Sequence, residues 1–241
     1  SILMKIALLG YGKMGKIIEV IAQNRGHEIV LRKNSSTSFS GLETADVAIE
    51  FSTPETAVSN ISEALMLGIP VVSGTTGWLA DYHKMEALCK EKDTAFLYGS
   101  NFSLGVNLLF EINQFASKLI GRFPEYKIEL EEIHHTQKLD APSGTAISLA
   151  NQVISNTRYD KWSLEPTQET DLKINAIRED AVPGTHYVTF SSNIDQLQIS
   201  HIAFNREGFA HGAVLAAEFL NDKKGIYTMK DVLRLNEDIF P

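Results

Sequence analysis

Two imidazoles and an ammonium fall within the five residues from His134 to Lys138, in the run Glu132-Ile133-His134-His135-Thr136-Gln137-Lys138-Leu139-Asp140-Ala141-Pro142-Ser143-Gly144-Thr145-Ala146. Imidazole exchanges protons near neutral pH, and a lysine ammonium can stabilise or quench developing negative charge. The run leaves an expected strand and opens an expected helix at Pro142-Ser143-Gly144-Thr145. A helix start offers free backbone N–H groups and the positive end of the dipole, which suit a carboxylate. His134 and Lys138 are therefore candidate proton donors beside a bound acid. Taken singly, either could be a solvated surface group; the clustering against an anion-binding helix start favours chemistry.

A second constellation is Gly10-Tyr11-Gly12-Lys13-Met14-Gly15, set between a strand-like run and a helical one. Glycines at this spacing allow a tight turn, close approach of backbone to a pyrophosphate, and close helix–strand packing, so the loop reads as a dinucleotide site. A glycine turn without ligand is the alternative. The second strand ends in Arg32-Lys33-Asn34, with no carboxylate for the ribose hydroxyls. Two cations there, with Lys13 in the loop, favour a 2′-phosphate, and NADPH is expected over NADH; solvated surface bases are the alternative. Gly74-Thr75-Thr76-Gly77 and Ser100-Asn101-Phe102-Ser103 each follow a strand-like run, which places them at the carboxyl edge of a sheet, where small and hydroxylated residues suit a nicotinamide.

Positioning these groups requires a scaffold, and the pattern supplies one. Short apolar runs at Lys5 to Leu9, His27 to Leu31, Asp46 to Phe51, Ile69 to Ser73 and Thr94 to Tyr98 alternate with helical spacing at Lys13 to Arg25, Thr53 to Leu67 and Leu79 to Lys92. That alternation predicts an α/β, Rossmann-type doubly wound parallel sheet. After about residue 105 a long helix leads into Tyr126 to Ile133, where Ile128 and Leu130 alternate with charged residues, as in a strand with one wet face. A helix from Ser143 to Asn156 and strands at Leu172 to Arg178, His186 to Ser192 and Leu197 to Phe204 complete a smaller α+β domain with an open mixed or antiparallel sheet. Helices are expected at Ala213 to Leu220 and Met229 to Leu235. The expected domains are 1–104, completed by 213–241, and 105–212.

The chain has 241 residues, 44% of them hydrophobic, with a formal charge of -8, which argues against a general binder of nucleic acid or anionic membrane. No apolar run approaches the roughly 20 residues of a membrane span, no secretory signal is visible, and the one cysteine, Cys89, suits a reducing compartment. A cytoplasmic protein is expected. Met4 reads as a natural initiator, and Ser1, Ile2 and Leu3 are set aside from the fold argument. The histidines His134, His135, His186, His201 and His211 show no His-x-x-x-His spacing, and no metal is expected.

The glycine loop, the Gly74 to Gly77 and Asn101 to Ser103 turns, the segment from His134 to Ala146, and Phe209-Ala210-His211-Gly212-Ala213 occur in one order along nearly the whole chain. In this the sequence resembles the 4-hydroxy-tetrahydrodipicolinate reductase (dihydrodipicolinate reductase) family. The resemblance implies a reductase of the diaminopimelate branch of lysine synthesis. It implies His134 as proton donor and acceptor, Lys138 as second proton donor, His135 against the substrate, and Gly144 and Thr145 around a substrate carboxylate, which the helix start read above extends to Ser143. Cofactor contacts are implied for Gly10 to Gly15, Gly74 to Thr76 and Ser100 to Ser103, and a homotetramer built through the second-domain sheet. Family members often carry an acid, or an acid–arginine pair, after the second strand and an arginine after the third. Here those places read Arg32-Lys33 and Phe51-Ser52-Thr53-Pro54.

Overall fold

The first strand, β1 (Lys5–Leu9), has no polar residue after its first and is buried from Ile6 onward. Its side chains alternate between two faces, and two cores follow from that. Ile6 and Leu8 join a cluster with Ile18 of helix α1 (Lys13–Asn24) and with Ala213, Val214 and Ala217. Ala7 and Leu9 join the opposite cluster with Ile61, Leu65, Met85 and Phe96. Helices thus cover both faces, as a buried parallel sheet requires.

The computed structural model describes residues 2–237. They divide into two units, one comprising residues up to Leu104 together with those from Glu207 on, the other Gly105–Arg206. Ser1 and the end of the expected 213–241 return lie outside the described residues.

In the first unit, β1 and α1 are followed by β2 (Glu28–Lys33), β3 (Val47–Glu50), α2 (Pro54–Met66), β4 (Val71–Ser73), α3 (Tyr82–Glu91) and β5 (Ala95–Tyr98). In the second, α4 (Leu104–Ile120), β6 (Lys127–His134), α5 (Gly144–Asn156), β7 (Lys161–Ser163), β8 (Asp171–Arg178), β9 (Thr185–Ser191) and β10 (Gln196–Ile202) follow. The chain then returns to the first unit with α6 (Glu207–Leu220), β11 (Gly225–Tyr227) and α7 (Met229–Val232). The first sheet is parallel throughout, in the order β11-β5-β4-β3-β1-β2. Its order reverses between β1 and β3, so the crevice for a ligand opens beside Gly10 and the residues after β3.

The second sheet, ordered β10-β9-β6-β8-β7, is mixed: β6 and β7 run parallel to β8, while β9 runs antiparallel to β6 and β10. Ile128, Leu130, Leu172, Ile174, Val188 and Phe190 form its buried face with Leu149 and Val153 of α5. Lys127 and Glu129 point the other way and stay exposed. Among the described residues no helix is long and apolar enough to cross a membrane.

Several boundaries differ from expectation. The last long helix begins at Glu207 rather than Ala213, and the tail expected as helical from Met229 to Leu235 holds one turn, α7. Strands β7 and β11 were not expected; each has three residues, too few to show a period. The early start of α6 brings Gly212 against the loop after β5, where an added Cβ would stand 1.9 Å from the Phe102 carbonyl oxygen. Gly212→Ala is expected to destabilise the first unit by about 1–3 kcal/mol, read from urea unfolding.

Candidate active site

Strand β6 carries Glu132 and His134 two residues apart, hence on one face. Register brings β8 and β9 to them: His134 pairs with Arg178, and Glu132 pairs with His186. Glu132 is wholly buried and accepts from His134 Nδ1 through one carboxylate oxygen and, at 2.8 Å, from the Arg178 guanidinium through the other. Burial pushes the Glu132 carboxyl up, but the hydrogen bonds from His134 and Arg178 outweigh burial and hold it below the ordinary range. With Nδ1 committed to Glu132, Nε2 is the nitrogen of His134 left to face a ligand.

Arg178 also donates from Nε to the Lys138 carbonyl, at 3.1 Å, and from its other arm to the Asp140 carbonyl. One guanidinium therefore holds both the acid behind His134 and the loop that presents Lys138. The Lys138 Nζ lies 3.0 Å from Asp140, and the Lys138 N–H donates to the His135 carbonyl. Past this loop, Ser143 caps α5 by accepting from the Ala146 N–H, at 3.1 Å. The first turn of α5 holds Gly144 and the buried Thr145 and carries no acid, so its dipole is open to an anion. The structure thus brings His134, Lys138, Ser143, Gly144 and Thr145 to one end of the second sheet, with His135 next to His134 at the end of β6.

His186 completes the floor. Its ring lies edge-on to His134, with centroids 5.1 Å apart, and its Nε2 is 3.2 Å from Ser143 Oγ. Because Ser143 Oγ already accepts from Ala146, its hydroxyl proton is available to Nε2, and Nδ1 of His186 finds no partner among the described residues. Burial above all, with His134 adding to it, pushes the imidazole from 6.5 down to about 3. The unfolded chain therefore binds more protons between those values, and stability falls as pH drops through that window by up to about 1.4 kcal/mol per unit. Urea unfolding at pH 7 and pH 5 measures the slope; His186→Asn is expected to flatten it, and an unchanged slope would assign it elsewhere.

Glu132, His134 and His186 come within 4.8 Å of one another, a spacing open to a metal ion. Both Glu132 oxygens are already engaged, one by His134 Nδ1 and the other by the Arg178 guanidinium, which sets a cation against the carboxylate. His211 is exposed on α6 of the first unit.

In the first unit, Gly12 occupies the cap position of α1 with no side-chain cap, which leaves the first N–H groups of the helix unclaimed by any side chain at that position. A Cβ added to Gly12 would meet nothing within 4 Å, whereas one on Gly10 would lie 1.7 Å from the Phe51 carbonyl oxygen. The turn is closed behind and open in front, which fits a pyrophosphate. Gly15 is buried, Met14 packs on the core, and Lys13 is exposed. Tyr11 and Arg32 both donate to Glu19 of α1, and Lys33 donates to the Asn34 carbonyl.

Gly74 fits beside the Phe51 ring, where a Cβ would lie 2.0 Å away, and Thr76 is half-buried. Thr75 donates to the buried Glu50, at 2.7 Å, and accepts from the Ser52 N–H, at 2.8 Å. Ser73 and Ser52 donate to the same carboxylate, so Glu50 joins the ends of β3 and β4. Burial raises its affinity for a proton. In the last turn, the Ser103 N–H donates to Asn101 Oδ1, Ser100 is half-buried, and the Phe102 ring is wholly buried in a triangle with Phe51 and Phe209. Phe102 anchors this turn from the core side.

Glu19, Glu50, Glu132 and Arg178 are not among the site residues expected from the sequence, where His186 stands only among the possible metal ligands. The i, i+2 spacing of Glu132 and His134 was a readable signal. The place of Arg178 depends on strand register, which no local pattern supplies.

Comparison with known proteins places the chain in a family. Residues 4–102 match the family model described as dihydrodipicolinate reductase, N-terminus, and residues 105–233 match its C-terminus. A 4-hydroxy-tetrahydrodipicolinate reductase from Christiangramia forsetii is 52% identical over 95% of this chain and 98% of its own length. One from Thermosipho africanus is 33% identical over 96% and 98%. The dipicolinate-bound dihydrodipicolinate reductase of Paenisporosarcina sp. TG-14 shares the fold with a TM-score of 0.70 at 22% identity, over 94% of this chain and 98% of that one. Both parts of the chain, and its match to curated relatives over nearly their full length, show that it belongs to the dihydrodipicolinate reductase family.

Proposed function

We propose that the chain reduces 4-hydroxy-tetrahydrodipicolinate, by way of dihydrodipicolinate, to tetrahydrodipicolinate in the diaminopimelate branch of lysine synthesis. The observation that carries this reading is the chain from Glu132 to His134, with Arg178 tying it to the Lys138 loop, beside the acid-free start of α5. A ring carboxylate would accept from the backbone N–H groups at Ser143, Gly144 and Thr145, with His135 as a further contact. Loss of water from the hydroxylated ring leaves a conjugated imine. A reduced nicotinamide, when bound, supplies a hydride to ring carbon 4.

Lys138 protonates the enamine-like charge that then develops, with His134 as a further acid; one hydride and one proton account for the two-electron reduction. Glu132 keeps Nε2 of His134 turned outward, and Arg178 keeps Lys138 from drifting. Gly10, Tyr11, Gly12, Lys13, Met14 and Gly15 hold the cofactor diphosphate, Gly74 to Thr76 and Ser100 to Ser103 its nicotinamide half. Arg32 and Lys33 stand beside the adenosine ribose and favour NADPH over NADH.

The open face of the second sheet, with exposed Lys127, Glu129, Lys173 and Asn175, supports assembly as a homotetramer through that sheet. Cys89 is free and buried, which suits a reducing cytoplasm. Dipicolinate, a planar dicarboxylate analogue of the ring, tests the substrate site. It should inhibit competitively against the dicarboxylate substrate and not against the cofactor, and absence of inhibition would contradict the carboxylate site at α5.

A further inference from the structure

We infer that Glu19, on α1, sets how strongly the protein prefers NADPH, by competing with the cofactor's 2′-phosphate for Arg32. The inference rests on the nicotinamide reading of the first unit. Arg32 and Lys33 end β2 in register with Leu8 and Leu9 of β1, and the Gly10 N–H donates to the Lys33 carbonyl, so the two cations stand directly beside the glycine loop. The carboxylate that commonly meets the ribose at the end of this strand is absent from the strand itself.

A carboxylate nevertheless reaches that place from the helix. Glu19 accepts from Tyr11, inside the glycine loop, through one oxygen and from the Arg32 guanidinium through the other. Its side chain is 12% exposed and that of Arg32 is 43% exposed. Burial alone would raise the Glu19 carboxyl, but the hydrogen bonds from Tyr11 and Arg32 hold it ionised. Lys33 is likewise occupied, donating to the Asn34 carbonyl over the Phe39 ring.

Arginine recognises phosphate by presenting two N–H groups in one plane. Here the Nε/Nη2 edge of Arg32 is held by Glu19, so the phosphate must either take that edge from the carboxylate or settle on the remaining one against the carboxylate's charge. A ribose with a free 2′-hydroxyl asks for neither, and Glu19 is then available as an acceptor in place of the missing strand acid. The pair therefore lowers the gain from the 2′-phosphate and keeps NADH usable.

The test is calorimetric titration of the whole protein with NADPH and NADH, repeated with adenosine 2′,5′-bisphosphate and 5′-AMP, so that affinity is read without turnover. Glu19→Gln keeps the size of the side chain and an acceptor for Tyr11 but removes the charge. It should raise the ratio of NADPH to NADH affinity about fivefold, the scale of one partly exposed ion pair, with the same trend in the two fragments. In an Arg32→Ala background the same change should move the ratio by less than about twofold, because the group competed for is gone. A ratio that stays constant or falls in Glu19→Gln, with both cofactors still bound, would overturn this inference and leave the nicotinamide reading standing. Binding of neither cofactor by the unaltered protein would overturn that reading and this inference together.

Discussion

Lys138→Ala is expected to lower turnover by about a hundred- to ten-thousand-fold, the range of a lost general acid, while cofactor affinity changes little. The loop that carries Lys138 is fixed by Arg178 through the carbonyls of Lys138 and Asp140, so truncating the side chain removes the ammonium without removing the loop's anchor. The loops proposed to hold the cofactor belong to the other unit. Steady-state kinetics with a separate cofactor titration measure both quantities. Lys138→Arg should not restore the rate, since guanidinium keeps the charge but does not release its proton near neutral pH. Turnover within a few-fold of the unaltered enzyme would remove Lys138 from the role given to it.

Glu132→Ala is the second large expectation. It leaves the half-buried Arg178 without its carboxylate and His134 without its Nδ1 partner, and breaking a buried pair in this way costs about 3–5 kcal/mol. Urea unfolding at neutral pH measures the loss. Because that variant can fail to fold, Glu132→Gln separates positioning from stability: it keeps the shape and removes the charge, and turnover should fall by about ten- to a hundredfold with substrate KM little changed. The pH dependence follows from the lowered carboxyl of Glu132, whose ordinary value is 4.5. A carboxylate held below its unfolded value stabilises the fold above that value and loses the contribution as pH falls through the folded one, so acid should abolish the difference between Glu132→Gln and the unaltered chain. A Glu132→Gln variant with full turnover would assign Glu132 a purely structural part.

The scaffold was legible because its signals are local and periodic. Five buried strands of the first sheet read as apolar runs, helix starts announced themselves at Thr53-Pro54 and at Ser143, and the alternation along β6 showed which face stays wet. What escaped were three-residue strands and helix ends set by packing, such as the start of α6 at Glu207. The residues whose types suit the proposed chemistry, His134, Lys138 and the glycine loop, were visible as types at a spacing. Their partners were not, because each comes from a distant element. Arg178 reaches Glu132 only through the pairing of β8 with β6, and Glu19 reaches Arg32 only because α1 packs beside β2. A sequence shows the groups that act more readily than those that hold them in place.

Reduction of a cyclic dicarboxylate by this chain is read from loss of reduced-nicotinamide absorbance with substrate made freshly from pyruvate and aspartate semialdehyde. NADPH and NADH are run in parallel, with a working reductase as control. Rapid, enzyme-dependent oxidation that stops when the limiting dicarboxylate is consumed is the predicted result. No oxidation with either cofactor, while the control enzyme turns over, would mean that the chain does not reduce this dicarboxylate.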